Sequence, residues 1–163
     1  ILISLQRYTA TILKNTPFEN SLDRSVQLLI AGSSEHENLI RLESESPGDV
    51  KLPILTLIPG FASSEDNELG DNEGQVTFNV KYLIQASSPR QEFYLSELFR
   101  RGFNRVNINI VDESYWNKPV VASIETGLTT IEKIYGYGEV ARSQKYQSII
   151  QFPIIYNGAK FVN

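Results

Sequence analysis

The sequence predicts an α+β domain, mostly antiparallel β-sheet with two main helices packed on it. Three stretches carry that expectation. Val76, Phe78, Val80, Tyr82, Ile84 and Ala86 alternate with Thr77, Asn79, Lys81, Leu83 and Gln85, the two-residue period of a strand with one buried face. Tyr146, Ser148, Ile150, Phe152, Ile154 and Tyr156 repeat the pattern near the end of the chain. Between them, Ser88-Pro89-Arg90-Gln91 has the serine, first-turn proline and glutamine of a capped helix start. With 163 residues the chain is expected to form one domain, 1–163, burying roughly 70% of its unfolded surface without a disulfide or metal staple.

The remaining elements follow in order. Leu2, Leu5, Tyr8 and Ile12 recur every three or four residues, which predicts a first helix over 2–14, ended before Pro17. Residues 23–31 fit a helix through Leu22, Val26 and Leu29, or a strand through Val26, Leu28 and Ile30. Gly32 ends the element in either case. Residues 33–49 carry Glu35, Glu37, Glu43, Glu45 and Asp49 around Leu39-Ile40-Arg41-Leu42, and are expected to be a solvated excursion with one short strand. Leu52 to Ile58 is a dense apolar run in which Pro53 points to an edge strand or a strand start. The 76–86 strand would reach about 36 Å, longer than a small domain needs, so part of it is expected to project. The second helix is expected over 89–101, with Leu95, Leu98 and Phe99 as its apolar face and Gly102 as a left-handed stop. Shorter strands are expected at 106–110, 119–124 and 130–137, and Pro153 is expected to put part of the terminal strand on an edge.

Composition excludes several classes of function. There are 0 cysteines, hence no disulfide framework, thiolate zinc site or cysteine nucleophile. A net charge of -4 disfavours sequence-independent attraction to nucleic acid, which depends on a basic surface releasing counterions. No apolar run approaches the ~20 residues of a membrane span, and the opening Ile1-Leu2-Ile3 lacks the basic start and length of a secretory signal.

Candidate chemistry is sparse. His36 is the sole histidine and has no second histidine to share a metal, so it is expected on the surface. Glu65, Asp66, Glu68, Asp71 and Glu73 crowd one loop, yet a twelve-residue calcium loop starting at Asp66 would need glycine where Asp71 stands and glutamate where Thr77 stands. Gly136-Tyr137-Gly138 lacks the lysine and spacing of a phosphate loop, and Trp116 beside Tyr115 is expected to cap a core or anchor an interface. Arg90, Arg100, Arg101 and Arg105 bracket the second helix. They fit phosphate binding or, in an acidic protein, pairing with carboxylates on a neighbouring subunit. The expectation is no catalytic residue, no metal and no cofactor.

The order of these elements resembles the tail terminator, or tail-to-head joining, proteins of long-tailed bacteriophages. It runs from the N-terminal helix through Leu52-Pro53-Ile54-Leu55-Thr56-Leu57-Ile58, the long strand Val76 to Ala86 and the helix from Ser88-Pro89-Arg90-Gln91 to Arg101. Several strands ending in Gln147-Ser148-Ile149-Ile150-Gln151-Phe152 complete it. The resemblance is one of arrangement and size across nearly the whole chain. It implies a non-enzymatic virion protein at the head–tail junction, a homo-oligomeric ring, commonly a hexamer. Such a ring stops tail-tube polymerisation and contacts the tube protein and the head connector while DNA passes through without specific binding. On that reading the 65–73 carboxylates face the lumen or rim and the four arginines lie near subunit interfaces. Alternatives are another tail or baseplate component, or a small carboxylate-dependent hydrolase.

Overall fold

The computed structural model describes residues 2–15, 26–66, 73–110, 123–134 and 146–159. Within them the order is α1 (Leu2–Asn15), β1 (Gln27–Ile30), α2 (Ser34–Glu45), a 3-10 turn (Pro47–Asp49), β2 (Ile54–Asp66), β3 (Glu73–Ala86), α3 (Pro89–Phe103), β4 (Asn107–Asn109), β5 (Ser123–Thr126), β6 (Thr130–Ile134) and β7 (Tyr146–Ala159). The seven strands form one mixed, mostly antiparallel sheet in the order β1-β2-β3-β7-β5-β4, with β6 also on β7. The α+β expectation therefore holds, with a third helix added to the two predicted.

The long alternating runs do what their period requires. β3 pairs with β7 along all 14 of its residues, from Glu73↔Ala159 to Ala86↔Tyr146, without a break in register. One face of that ladder carries Val80, Tyr82, Ile84, Ile150, Phe152 and Ile154, and β2 adds Leu55 and Leu57; all are buried. Helices α1 and α3 cover this face through Leu5 and Leu13 from one and Leu95, Phe99 and Phe103 from the other. An aromatic stack lies at the centre: Phe103 and Phe152 have ring centroids 4.6 Å apart, and Tyr82 lies 5.4 Å from Phe103 and 6.1 Å from Phe99. Such ring pairs contribute about 0.5–1.5 kcal/mol each beyond their buried area. Tyr82 closes its polar end on α1, its hydroxyl 2.8 Å from that of Thr9, while Thr9 donates to the Leu5 carbonyl at 2.8 Å. A hydroxyl has one proton, so Tyr82 is the donor to Thr9.

Four expectations change. Residues 34–45 are helical rather than a strand-bearing excursion: Ser33 caps the helix by accepting from the His36 amide at 3.2 Å, and Glu35 and Glu37 sit in the first turn, where the helix dipole favours anions. Leu39 is the buried residue of α2, so its apolar periodicity is too thin to announce a helix. The second helix runs past Gly102 to Phe103, and the left-handed residue is Arg105, with φ 53°. Gly102 serves close packing instead, since a Cβ there would lie 2.6 Å from Ile12 Cδ1, and its carbonyl accepts from the Tyr8 hydroxyl at 2.7 Å. Finally, Pro153 is not at an edge. The Pro153 carbonyl accepts from the Gly127 amide at 2.9 Å, which places the missing N–H of this residue on the same side, where β7's partner changes from β5 to β6. Between the Thr126↔Ile154 and Thr130↔Gln151 pairs the ladder is interrupted at Phe152 and Pro153, and the proline sits in that gap. Pro53, by contrast, stands just before β2, a strand start as expected, although β2 is interior between β1 and β3.

The parallel pair β1–β2 holds Gln27–Ile30 against Ile54–Leu57, which resolves the 23–31 ambiguity as a strand. Gly32, at φ 83°, makes the turn after it. Residues 119–122 and 135–137 of two predicted strands lie outside the described residues, and the rest became β5 and β6.

Candidate functional site

Three surfaces or clusters hold the chemistry of the described residues. The first is the far end of the long strands. Past Val80 the burial of β3 declines: Phe78 and Val76 are half-buried and Asn79 and Gln75 exposed. β2 and β3 remain paired as far as Asp66↔Gly74. β1 pairs with β2 only as far as Leu57, and β5 and β6 reach no further along β7 than Ile155. A three-stranded ribbon of β2, β3 and β7 thus extends about 13 Å past Ile155, at 3.3 Å per residue. Among the described residues its two outer edges have no strand beside them. A bulge bends β2 between Pro59 and Ala62, where Gly60 approaches so closely that a Cβ would sit 2.5 Å from the Asn79 carbonyl oxygen. Of the five predicted loop carboxylates, Glu65 and Asp66 end β2 and Glu73 begins β3, so the backbone brings these three to the ribbon tip. Glu68 and Asp71 lie outside the described residues.

The second is the arginine group. Arg100 donates to both Glu97 carboxylate oxygens, at 3.1 and 2.9 Å, and Arg101 lies 3.8 Å from the same carboxylate. The Arg100 guanidinium holds the Glu97 carboxyl below the usual range, and Arg101 adds to the effect. Arg105 is set apart, its backbone amide donating to the Gly127 carbonyl at 3.1 Å. Arg90 lies in the first turn of α3. Gln91, the capping-box residue, accepts from the Ser87 amide at 2.7 Å rather than from Ser88, while Ser88 accepts from the Gln91 amide at 3.2 Å. The structure therefore places Arg90, Arg100 and Arg101 along one helix and gives Arg105 a separate backbone role.

The third was not foreseen. Glu92 is 2% exposed on the core side of α3; Ser148 donates to its Oε1, and Lys133 Nζ lies 3.7 Å from Oε2. These residues join α3, β7 and β6. A signal was present, since Glu92 falls in phase with Leu95, Phe99 and Phe103 on the buried stripe, where an acid needs a partner. Ser148 satisfies Oε1, whereas Oε2 is buried without a hydrogen bond and has the Lys133 charge 3.7 Å away.

His36 is half-buried, and its Nδ1 accepts from the Gly32 amide at 3.2 Å, so it fastens the turn between β1 and α2. Among the described residues no three histidine, aspartate or glutamate side chains converge as metal ligands, and no helix is long and apolar enough to cross a membrane. Trp116 and residues 136–138 lie outside the described residues. Neither a protein-family model nor a curated protein matches the chain.

Proposed function

We propose that this chain is a structural virion protein that forms a ring at the head–tail junction of a long-tailed phage, terminating the tail tube and joining it to the head connector. The observation that carries the reading is the β2–β3–β7 ribbon, which runs past the core with a carboxylate-bearing tip and, among the described residues, with no strand beside its outer edges. A strand edge with unpaired backbone groups is a site for association with another chain, and a heterologous contact that closes makes a ring. The resemblance in element order supplies the biological setting. Carboxylates at a tip facing a channel would repel DNA phosphates over about 8 Å at physiological salt.

The test is native mass spectrometry and sedimentation of the wild type and of a variant with Glu65, Asp66, Glu68, Asp71 and Glu73 replaced by amides. A closed hexamer in both, with DNA retained more strongly by the variant, is the expected result. Loss of assembly in the variant would move the tip from the lumen to a subunit contact. An open polymer would favour a tube component, and a monomer at micromolar concentration would end the ring reading.

A further inference from the structure

One face of α2 and one face of α3 differ in the sign of their charge and match in length. On α2, Glu35, Asn38, Leu39, Leu42 and Glu45 share a stripe and, with Arg41 beside it and Leu29 of β1 alongside, line an open groove in two adjoining parts of about 540 and 510 Å³, the second the more apolar. The floor is leucine and a glutamate stands at each end, Glu45 with Arg41 near it, whose guanidinium is turned onto Asn38 at 3.2 Å. Over its whole length α2 carries four carboxylates against one arginine. Leu42 and the neighbouring Ile40 are 36% and 51% exposed, apolar surface that nothing among the described residues covers.

The outer face of α3 has the opposite character. Arg90, Phe93, Glu97 and Arg101 fall at three- and four-residue spacing on one stripe. Phe93 is 71% exposed, more than any other large hydrophobic residue described, and the Arg101 side chain is 78% exposed. Glu97 is the one carboxylate among three arginines on this face and is shared by two of them, so the net charge is positive. From Glu35 to Glu45 the helix rises about 15 Å, and from Arg90 to Arg101 about 16 Å. An aromatic knob between two arginines thus matches a leucine-floored groove between two glutamates.

We propose that the α2 groove receives the outer face of α3 from a second copy of this chain, with Phe93 over Leu39 and Leu42 and the arginine ends against the glutamate ends. The occupant is identified as a second copy by this charge and length match. Because groove and knob are different patches, the contact is head-to-tail, the kind that builds rings. The inference rests on the ring reading above and names the surfaces through which neighbouring subunits meet.

Two variants test it by sedimentation velocity, with circular dichroism confirming the fold: Glu35→Lys with Glu45→Lys in one chain, and Arg90→Glu with Arg101→Glu in another. Each alone sets like charge against like charge, and its assembly midpoint is expected to rise at least about tenfold. An equimolar mixture presents lysine grooves to glutamate knobs and native grooves to native knobs, and is expected to recover assembly with an even number of subunits. A chain carrying all four changes should also assemble. Wild-type assembly that neither variant disturbs, or a loss that mixing does not repair, overturns the groove assignment and leaves the ring standing. A wild type that stays monomeric removes the ring and this contact with it.

Discussion

Removing the Lys133 ammonium while keeping its packing, as in Lys133→Met, leaves the buried Glu92 carboxylate with only Ser148 as a partner of its own. At 3.7 Å and an effective dielectric of about 20, the Coulomb attraction is roughly 4–5 kcal/mol before desolvation. Lys133 is half exposed in its side chain (49%) and the separation exceeds hydrogen-bond length, so solvent screening and the cost of holding the side chain reduce the net contribution to about 1–2 kcal/mol. Lys133 makes a further interaction as well, and a double-mutant cycle removes it from the comparison. Urea unfolding at neutral pH should show Lys133→Met costing about 1–2 kcal/mol in the presence of Glu92 and under about 0.5 kcal/mol in a Glu92→Gln background, with the slope of the transition unchanged. Equal cost in both backgrounds would refute the pairing. Ser148→Ala should cost about 1–3 kcal/mol, because Oε1 would then be buried without its donor.

Burial holds the Tyr82 hydroxyl well above the ordinary tyrosine value of 10.0. The unfolded chain then releases this proton first, so stability is intact below about pH 10 and falls as pH rises above it, by up to about 1.4 kcal/mol per pH unit. Tyr82→Phe should flatten that alkaline decline in denaturation midpoints measured between pH 8 and 11; an unchanged decline would assign it to other groups. Gly60→Ala should lower stability by about 1–3 kcal/mol, since the new Cβ meets the Asn79 carbonyl at 2.5 Å and backbone must move. A neutral result by thermal unfolding would mean that the β2 bulge adjusts freely.

Where a period had one strong interpretation, the sequence was readable. The alternation in β3 and β7 announced both strands, and serine, proline and glutamine announced α3, because these signals act locally. The failures have a shared cause. Leu39-Ile40-Arg41-Leu42 reads equally as a short strand or as helical turns, and what decides is the Ser33 cap together with the packing of Leu39, the second invisible in a linear string. Pro153 reads as an edge signal because it lacks a donor, yet tertiary structure supplies an interior place where none is needed, opposite the bend at Gly127. Glu97 lies one helical turn before the arginines, so its pairing with Arg100 and Arg101 was available from spacing. The partners of Glu92 come from residues 133 and 148 and depend wholly on the sheet register.

The buried carboxylate and the exposed apolar side chains of this fold play opposite parts, and the proposed assembly rests on that contrast. A carboxylate that works on a substrate must meet it, and Glu92 is 2% exposed, with a serine and a lysine on its two oxygens. Its place makes it a fastening between α3 and the β6–β7 pair. Phe93, Ile40 and Leu42 are instead apolar groups held in solvent. Exposed apolar area forgoes roughly 25 cal/mol per Å² that burial would gain, and these side chains stand on regular helices rather than loops. Groups fixed in this way lose little conformational freedom when covered, so more of the burial free energy appears as affinity. In the proposed contact, carboxylates around one patch and arginines around the other would add selectivity, each patch disfavouring a copy of itself and favouring the other. A molecule whose face rejects itself and admits a different face of its neighbour associates head-to-tail, and this is the geometry a ring requires.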